Sequence, residues 1–181
     1  MRSAALLAAL AVFVLAGCDA IRQQKPGSLV VRNARLVAGA GAPTLELGLD
    51  CRFSGPVQDA LEHGIPITLQ IELKAGRWPR AQTQTRRVEL RYFPLSRRYQ
   101  LREAGSAEPR SYATPAYLVA ALGALRFDLP SSFADLPPET PLQVSARLDP
   151  AALPGALRLP ALFEPAWRLV AADYAWTPAA R

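Results

Sequence analysis

The clearest signal along the chain is a two-residue alternation of apolar and polar positions. Leu45, Leu47, Leu49, Cys51 and Phe53 are interleaved with Thr44, Glu46, Gly48, Asp50 and Arg52, the pattern of a strand that buries one face and wets the other. Ile65, Ile67, Leu69, Ile71 and Leu73 repeat it against Pro66, Thr68, Gln70, Glu72 and Lys74. Val88, Leu90 and Tyr92 run into Pro94-Leu95-Ser96 and return through Tyr99 and Leu101, which predicts a hairpin. Leu142, Val144, Ala146 and Leu148 predict a further strand, and fainter patterns predict strands at about 28–37 and 167–176.

Helical signals are fewer. Val57 to His63, followed by Gly64 as a terminating glycine, places Val57, Ala60 and Leu61 on one side. Thr114 is a good N-cap with Pro115 at the first helical position, and Leu118, Val119, Leu122 and Leu125 follow on one face. Prolines at Leu136-Pro137-Pro138 and across 150–160 predict loops or short turns. Half-buried strands joined by short turns predict a mainly β fold class: an antiparallel sheet or β-sandwich with one or two covering helices. An open sheet capped by the 114–125 helix is the alternative topology.

The first residues stand apart from this alternation. Met1-Arg2-Ser3 leads into an apolar run from Ala4 to Ala16, the form of a signal peptide and shorter than the roughly 20 residues of a membrane-spanning helix. Leu15-Ala16-Gly17-Cys18 resembles the bacterial lipobox, in which the cysteine thiol takes a diacylglycerol before cleavage on its N-terminal side. The expected organisation is a signal peptide at 1–17, a lipidated N-terminus and tether at 18–27, and a single β-rich domain of unknown function at 28–178. Several acyl chains, of the palmitate kind, hold far better than one, because each buried CH₂ contributes about 0.8 kcal/mol. Asp19 resembles the sorting signal that retains enterobacterial lipoproteins in the inner membrane. The expected location is therefore the periplasmic face of the inner membrane, lipid-anchored, with the inner leaflet of the outer membrane as the alternative. At roughly 3.3–3.6 Å per residue, the segment 19–27 reaches at most about 30 Å.

Length and charge narrow the picture. A chain of 181 residues that is 50% hydrophobic can bury one ordinary core. Arg2 is the leader's one charged residue, so its removal lowers the net charge from +6 to +5. The basic residues are almost all arginine, Lys25 and Lys74 being the two lysines. An exported protein meets no chromosome, so the charge points to acidic lipid headgroups or an acidic partner rather than nucleic acid.

Candidate catalytic groups are scarce. His63 is the sole histidine, and a predicted helix end makes it a dipole partner or a solvated side chain. Cys51 is the one thiol left once Cys18 is acylated, and its place between Leu49 and Phe53 on an apolar strand face predicts an inert buried thiol. Glu46, Asp50 and Glu72 fall on polar strand faces and suggest no acid/base pair. Phosphate loops, Ser-elbow motifs and zinc spacings are absent from the sequence. The expectation is a non-enzymatic protein without cofactor or metal.

The richest segment in charge is 74–102. Arg87 and Arg91 alternate with Val88, Leu90 and Tyr92, and should be joined on the outward face by Arg98 and Arg102 from the return strand. Read plainly, this is the solvated face of a strand; read functionally, it is a contact surface for lipid phosphates or an acidic partner. Trp78, Trp167 and Trp176 fit core or loop packing better than interfacial anchoring.

The run Ala60-Leu61-Glu62-His63-Gly64-Ile65-Pro66-Ile67, the hairpin from Leu90 to Tyr99, Arg147-Leu148-Asp149 with Leu153-Pro154, and Trp167-Arg168-Leu169 with Trp176 together resemble the bacterial domain-of-unknown-function family numbered 4390, over about Val30 to Trp176. The resemblance implies a small exported proteobacterial protein, often encoded beside a sensor histidine kinase of the nitrogen-regulation type, and it supplies no catalytic residue. The expected function is a periplasmic lipoprotein acting as an interaction module at the membrane, with a membrane-protein partner such as an envelope sensor kinase. The alternative is a β-sandwich carrier of a lipid or other apolar ligand.

Overall fold

In a computed structural model of the chain, residues 25–39, 42–77, 79, 81–104, 108–137 and 139–178 are described. Their strands form two antiparallel sheets. Strands β1 (Ser28–Val37), β2 (Thr44–Arg52) and β7 (Leu125–Asp128) make the smaller sheet, in the order β1-β2-β7. The larger runs β6-β5-β4-β3-β8-β9, with β3 (Ile67–Ala75), β4 (Gln82–Phe93), β5 (Arg98–Glu103), β6 (Arg110–Tyr112), β8 (Leu142–Leu148) and β9 (Tyr174–Trp176). Most of the alternating positions predicted to be apolar are buried: Leu45, Leu47, Leu49 and Cys51 from the small sheet, and Leu69, Ile71, Leu73, Val88, Leu90, Leu101, Leu142 and Val144 from the large one, while Phe53, Ile65 and Tyr92 are half-buried against them. These side chains belong to a single cluster drawn from both sheets, so the protein is a sandwich rather than an open sheet. Removing each large side chain from water contributes about 1.5–3 kcal/mol.

Three helices are described: α1 (Gly55–Glu62), α2 (Pro115–Ala121) and α3 (Gly155–Phe163). Helix α1 buries Val57, Ala60 and Leu61, as expected. It ends in the doubly bonded glycine turn, with Gly64 N donating to Leu61 O at 2.9 Å and Ile65 N to Ala60 O at 3.0 Å and Gly64 at φ 80°. Helix α2 starts as predicted, Thr114 Oγ1 accepting from Tyr117 N at 3.3 Å.

Four expectations need correction. Leu125, placed with the helix face of Leu118 and Leu122, opens strand β7, because the chain leaves α2 through a 3-10 turn at Leu122–Ala124 and turns extended at Leu125. The proline-rich stretch 150–160, expected as loops or short turns, has a 3-10 turn at Pro150–Ala152 but also contains most of α3, with Pro160 inside it. The strand expected over 167–176 shrinks to Tyr174–Trp176 and an isolated bridge between Val170 and Arg147, since a 3-10 turn occupies Pro165–Trp167. Ile65 precedes β3, its N–H being used to close α1.

One end of the sandwich collects several features. Ser28, at the start of β1, pairs with Arg52 at the end of β2. A Cβ on the preceding Gly27 would fall 2.5 Å from Leu169 Cδ2 and 2.7 Å from Arg52 O, so the incoming chain lies tight against the 165–169 segment. Ser54 Oγ, just before α1, donates to Ala166 O. Leu148 N donates to Leu169 O, and Asp149 N to Thr68 O, both at 2.8 Å. Thr68 stands at the β3 end where Ile67 pairs with Leu90, close to the β4-β5 hairpin tip. Gly27, α1, that tip and the segment holding α3 therefore share one end.

Candidate interaction surface

The outward face of β4 and β5 carries the four arginines named above. Val88, Leu90, Tyr99 and Leu101 point into the core, and the period of two turns Arg87, Arg91, Arg98 and Arg102 the other way; all four are exposed. Cross-strand register sets their neighbours: Glu89 opposite Arg102, Arg91 opposite Gln100, and Phe93 opposite Arg98.

The four are not equivalent. Arg102 Nη2 reaches both carboxylate oxygens of Glu89 at 3.1 Å, and Arg87 Nε lies 3.4 Å from Asp149 Oδ2. These two ion pairs, with Thr68 and Ala151, line an open polar cleft of about 560 Å³. Arg91 instead lies over the ring of Phe93, 5.1 Å from its centroid, a cation–π contact that keeps its charge. Arg91, Arg97 and Arg98 thus form a cationic group beside the hairpin tip, where Leu95 is fully exposed.

The groups weighed for catalysis have defined positions. Cys51 is buried, and desolvation, with a smaller push from Asp50, raises its thiol from 9.0 to about 12, which suppresses the nucleophilic thiolate. His63 sits at the C-terminal cap of α1, its Nδ1 within 2.6 Å of Asp59 O. Glu46 is bracketed by Arg35 and Arg126, Asp50 is paired with Arg32, and Glu72 with Lys74. Among the described residues no cluster of three His, Cys, Asp or Glu could hold a metal. Cys18, Asp19 and Trp78 lie outside the described residues. No helix of those described is long and apolar enough to cross a membrane.

Sequence reasoning missed an exposed apolar face on α3. Leu157 and Ala161 pack against the core, while Leu159, Leu162 and Phe163 stand 66%, 60% and 79% exposed. These three are spaced i, i+3 and i+4, one stripe of a helix. The signal was present, but Pro154, Gly155 and Pro160 read as punctuation and hid it.

A family model described as "Domain of unknown function (DUF4390)" matches residues 27–177. No curated protein and no solved structure matches the chain.

Proposed function

We propose that this chain, which belongs to the DUF4390 family, is an exported lipoprotein held by acyl chains on Cys18 at the periplasmic face of the inner membrane, where it works as a non-enzymatic interaction module. A membrane protein, with an envelope sensor kinase as the first candidate, is its partner, and the arginine-bearing face of β4 and β5 is the contact surface. The observation that carries this reading is positional: Gly27, where the segment from Cys18 joins the sandwich, shares one end of it with the cationic group at the hairpin tip. A tether of at most about 30 Å brings that end near the headgroups. Catalysis by the two side chains best suited to it is disfavoured, since Cys51 is buried with a raised pKa and the His63 ring is bonded to a backbone carbonyl.

Replacing Cys18 by serine tests the anchor: the parent should sediment with membranes through a salt wash, and the variant should be released as soluble protein. Identical fractionation of the two would remove the foundation of the reading. In the Cys18→Ser background, serine at Arg87, Arg91, Arg98 and Arg102 should weaken retention on anionic vesicles or on a captured partner, and unchanged retention would discard the surface. Because Glu89 and Asp149 already partner Arg102 and Arg87, Arg91 and Arg98 alone should account for most of the loss.

A carrier function finds its best footing at the other end of the sandwich, where Leu36, Phe133, Leu136 and Trp176 line a cleft of about 500 Å³. Native mass spectrometry of the purified protein would reveal co-purified lipid if that cleft holds an acyl chain.

A further inference from the structure

We infer that α3 is a membrane-contacting helix whose Leu159, Leu162 and Phe163 enter the headgroup layer of an anionic bilayer and fix the domain's orientation on it. The inference rests on the anchored placement proposed above and adds a second, non-covalent contact that neither the tether nor the arginine face supplies.

Three observations carry it. The first is exposure without a structural role: none of the nine residues of α3 is buried, and its outer stripe shows three large apolar side chains to solvent. A soluble helix normally turns a polar face outward, and a contiguous exposed apolar stripe marks a contact. The second is position. Phe163 leads through Glu164 into the Pro165–Trp167 turn, whose Ala166 is bonded by Ser54, and Leu169 just beyond it lies against Gly27. The stripe is thus joined by close packing to the point where the tether enters. The third is charge. Arg158 and Arg168 flank the stripe and are exposed, as are Lys25 and Arg52 beside Gly27; Glu164 and Asp59 oppose them. Apolar side chains rimmed by arginine suit the interface of an anionic leaflet.

The size of the stripe favours lipid over protein. A stable protein interface buries about 800 Å² on each partner, more than three side chains offer. Shallow insertion needs less, because the anchor makes the helix's encounter with the bilayer intramolecular.

The test uses the full-length lipidated protein, purified in detergent and reconstituted into vesicles of phosphatidylethanolamine and phosphatidylglycerol at high lipid-to-protein ratio. With Cys18 acylated and Cys51 buried, an environment-sensitive fluorophore attaches selectively to a cysteine introduced at Leu162→Cys or, at the opposite end, at Asp135→Cys. The label at 162 should shift to the blue and be quenched at least about threefold more strongly by nitroxide-bearing lipid than the label at 135. Serine at Leu159 and Phe163, both exposed, should abolish that difference without changing the melting temperature. Equal quenching at the two positions in an anchored protein overturns the inference. So does a label at 162 that is shielded only in native membranes and not in protein-free vesicles, which would make the occupant a protein. Failure of the anchoring itself is distinguishable, because Cys18 would then take a second label and the protein would not stay with the vesicles.

Discussion

Helices α1 and α3 lie at the same end of the sandwich and are similar in length, yet they use their apolar residues in opposite ways. In α1 all of Val57, Ala60 and Leu61 face the core, and Gln58 and Glu62 bond to each other outside at 2.9 Å. In α3 the inner side is filled by Leu157 and Ala161, and a second apolar side is left in water. The first helix is accounted for by folding alone. The second carries more hydrophobic surface than folding uses, and surplus of that kind points to a contact outside the chain. The difference separates residues that hold the fold from residues left available for the contact proposed above.

The comparison breaks most readily on stability. Leu61→Ala should cost about 2–5 kcal/mol by leaving a cavity beneath α1, whereas Leu162→Ala should change stability by less than about 0.5 kcal/mol. Urea denaturation of both variants checks this, and losses of equal size would mean that α3 is a core helix after all. Ser54→Ala should come next, at about 1–3 kcal/mol, because the buried carbonyl of Ala166 loses its donor. The same change should speed amide exchange at 165–169, loosening the joint between the two helices. Gly64→Ala should follow at about 1 kcal/mol, since φ 80° strains any residue with a Cβ, and its effect should stay within α1.

The smallest effect serves as a control on strand β5, outside both helices. Burial raises the carboxyl of Glu103, against the opposing pull of Arg110. Between its ordinary and its raised value the folded protein holds a proton that the unfolded chain has released, so stability falls as pH rises through that window. Glu103→Gln should flatten that slope in a pH series of melting temperatures and leave vesicle contact unaltered.

Much of the sandwich was legible because burying one face of a strand forces period-two alternation. That logic held for β2, β3, β4, β5 and β8. It was faint in β1 because a register shift between Val31 and Asn33 moves the buried set from Leu29 and Val31 to Ala34, so one strand carries two phases of the pattern. Strand β7 was lost because Leu118, Leu122 and Leu125 fit one helical face, and all three are fully buried; spacing alone cannot tell that the last is reached by an extended chain. Helix α3 was lost because its prolines argue for a loop, and helical spacing inside a proline-rich run is outvoted by that chemistry. At the surface, alternation was enough to turn four arginines outward. It could not show that Arg87 meets Asp149, a residue delivered by β8 through the sheet order.

The most direct test of the account is hydrogen exchange of the lipidated protein, measured peptide by peptide in detergent and again after anchoring in anionic vesicles. Anchoring should slow exchange across 155–163 and at the hairpin tip near Leu95, and leave 131–137 at the far end unchanged. Slowing at the far end instead, or nowhere in the sandwich, would contradict the claim that the end where the tether enters is the one turned toward the membrane.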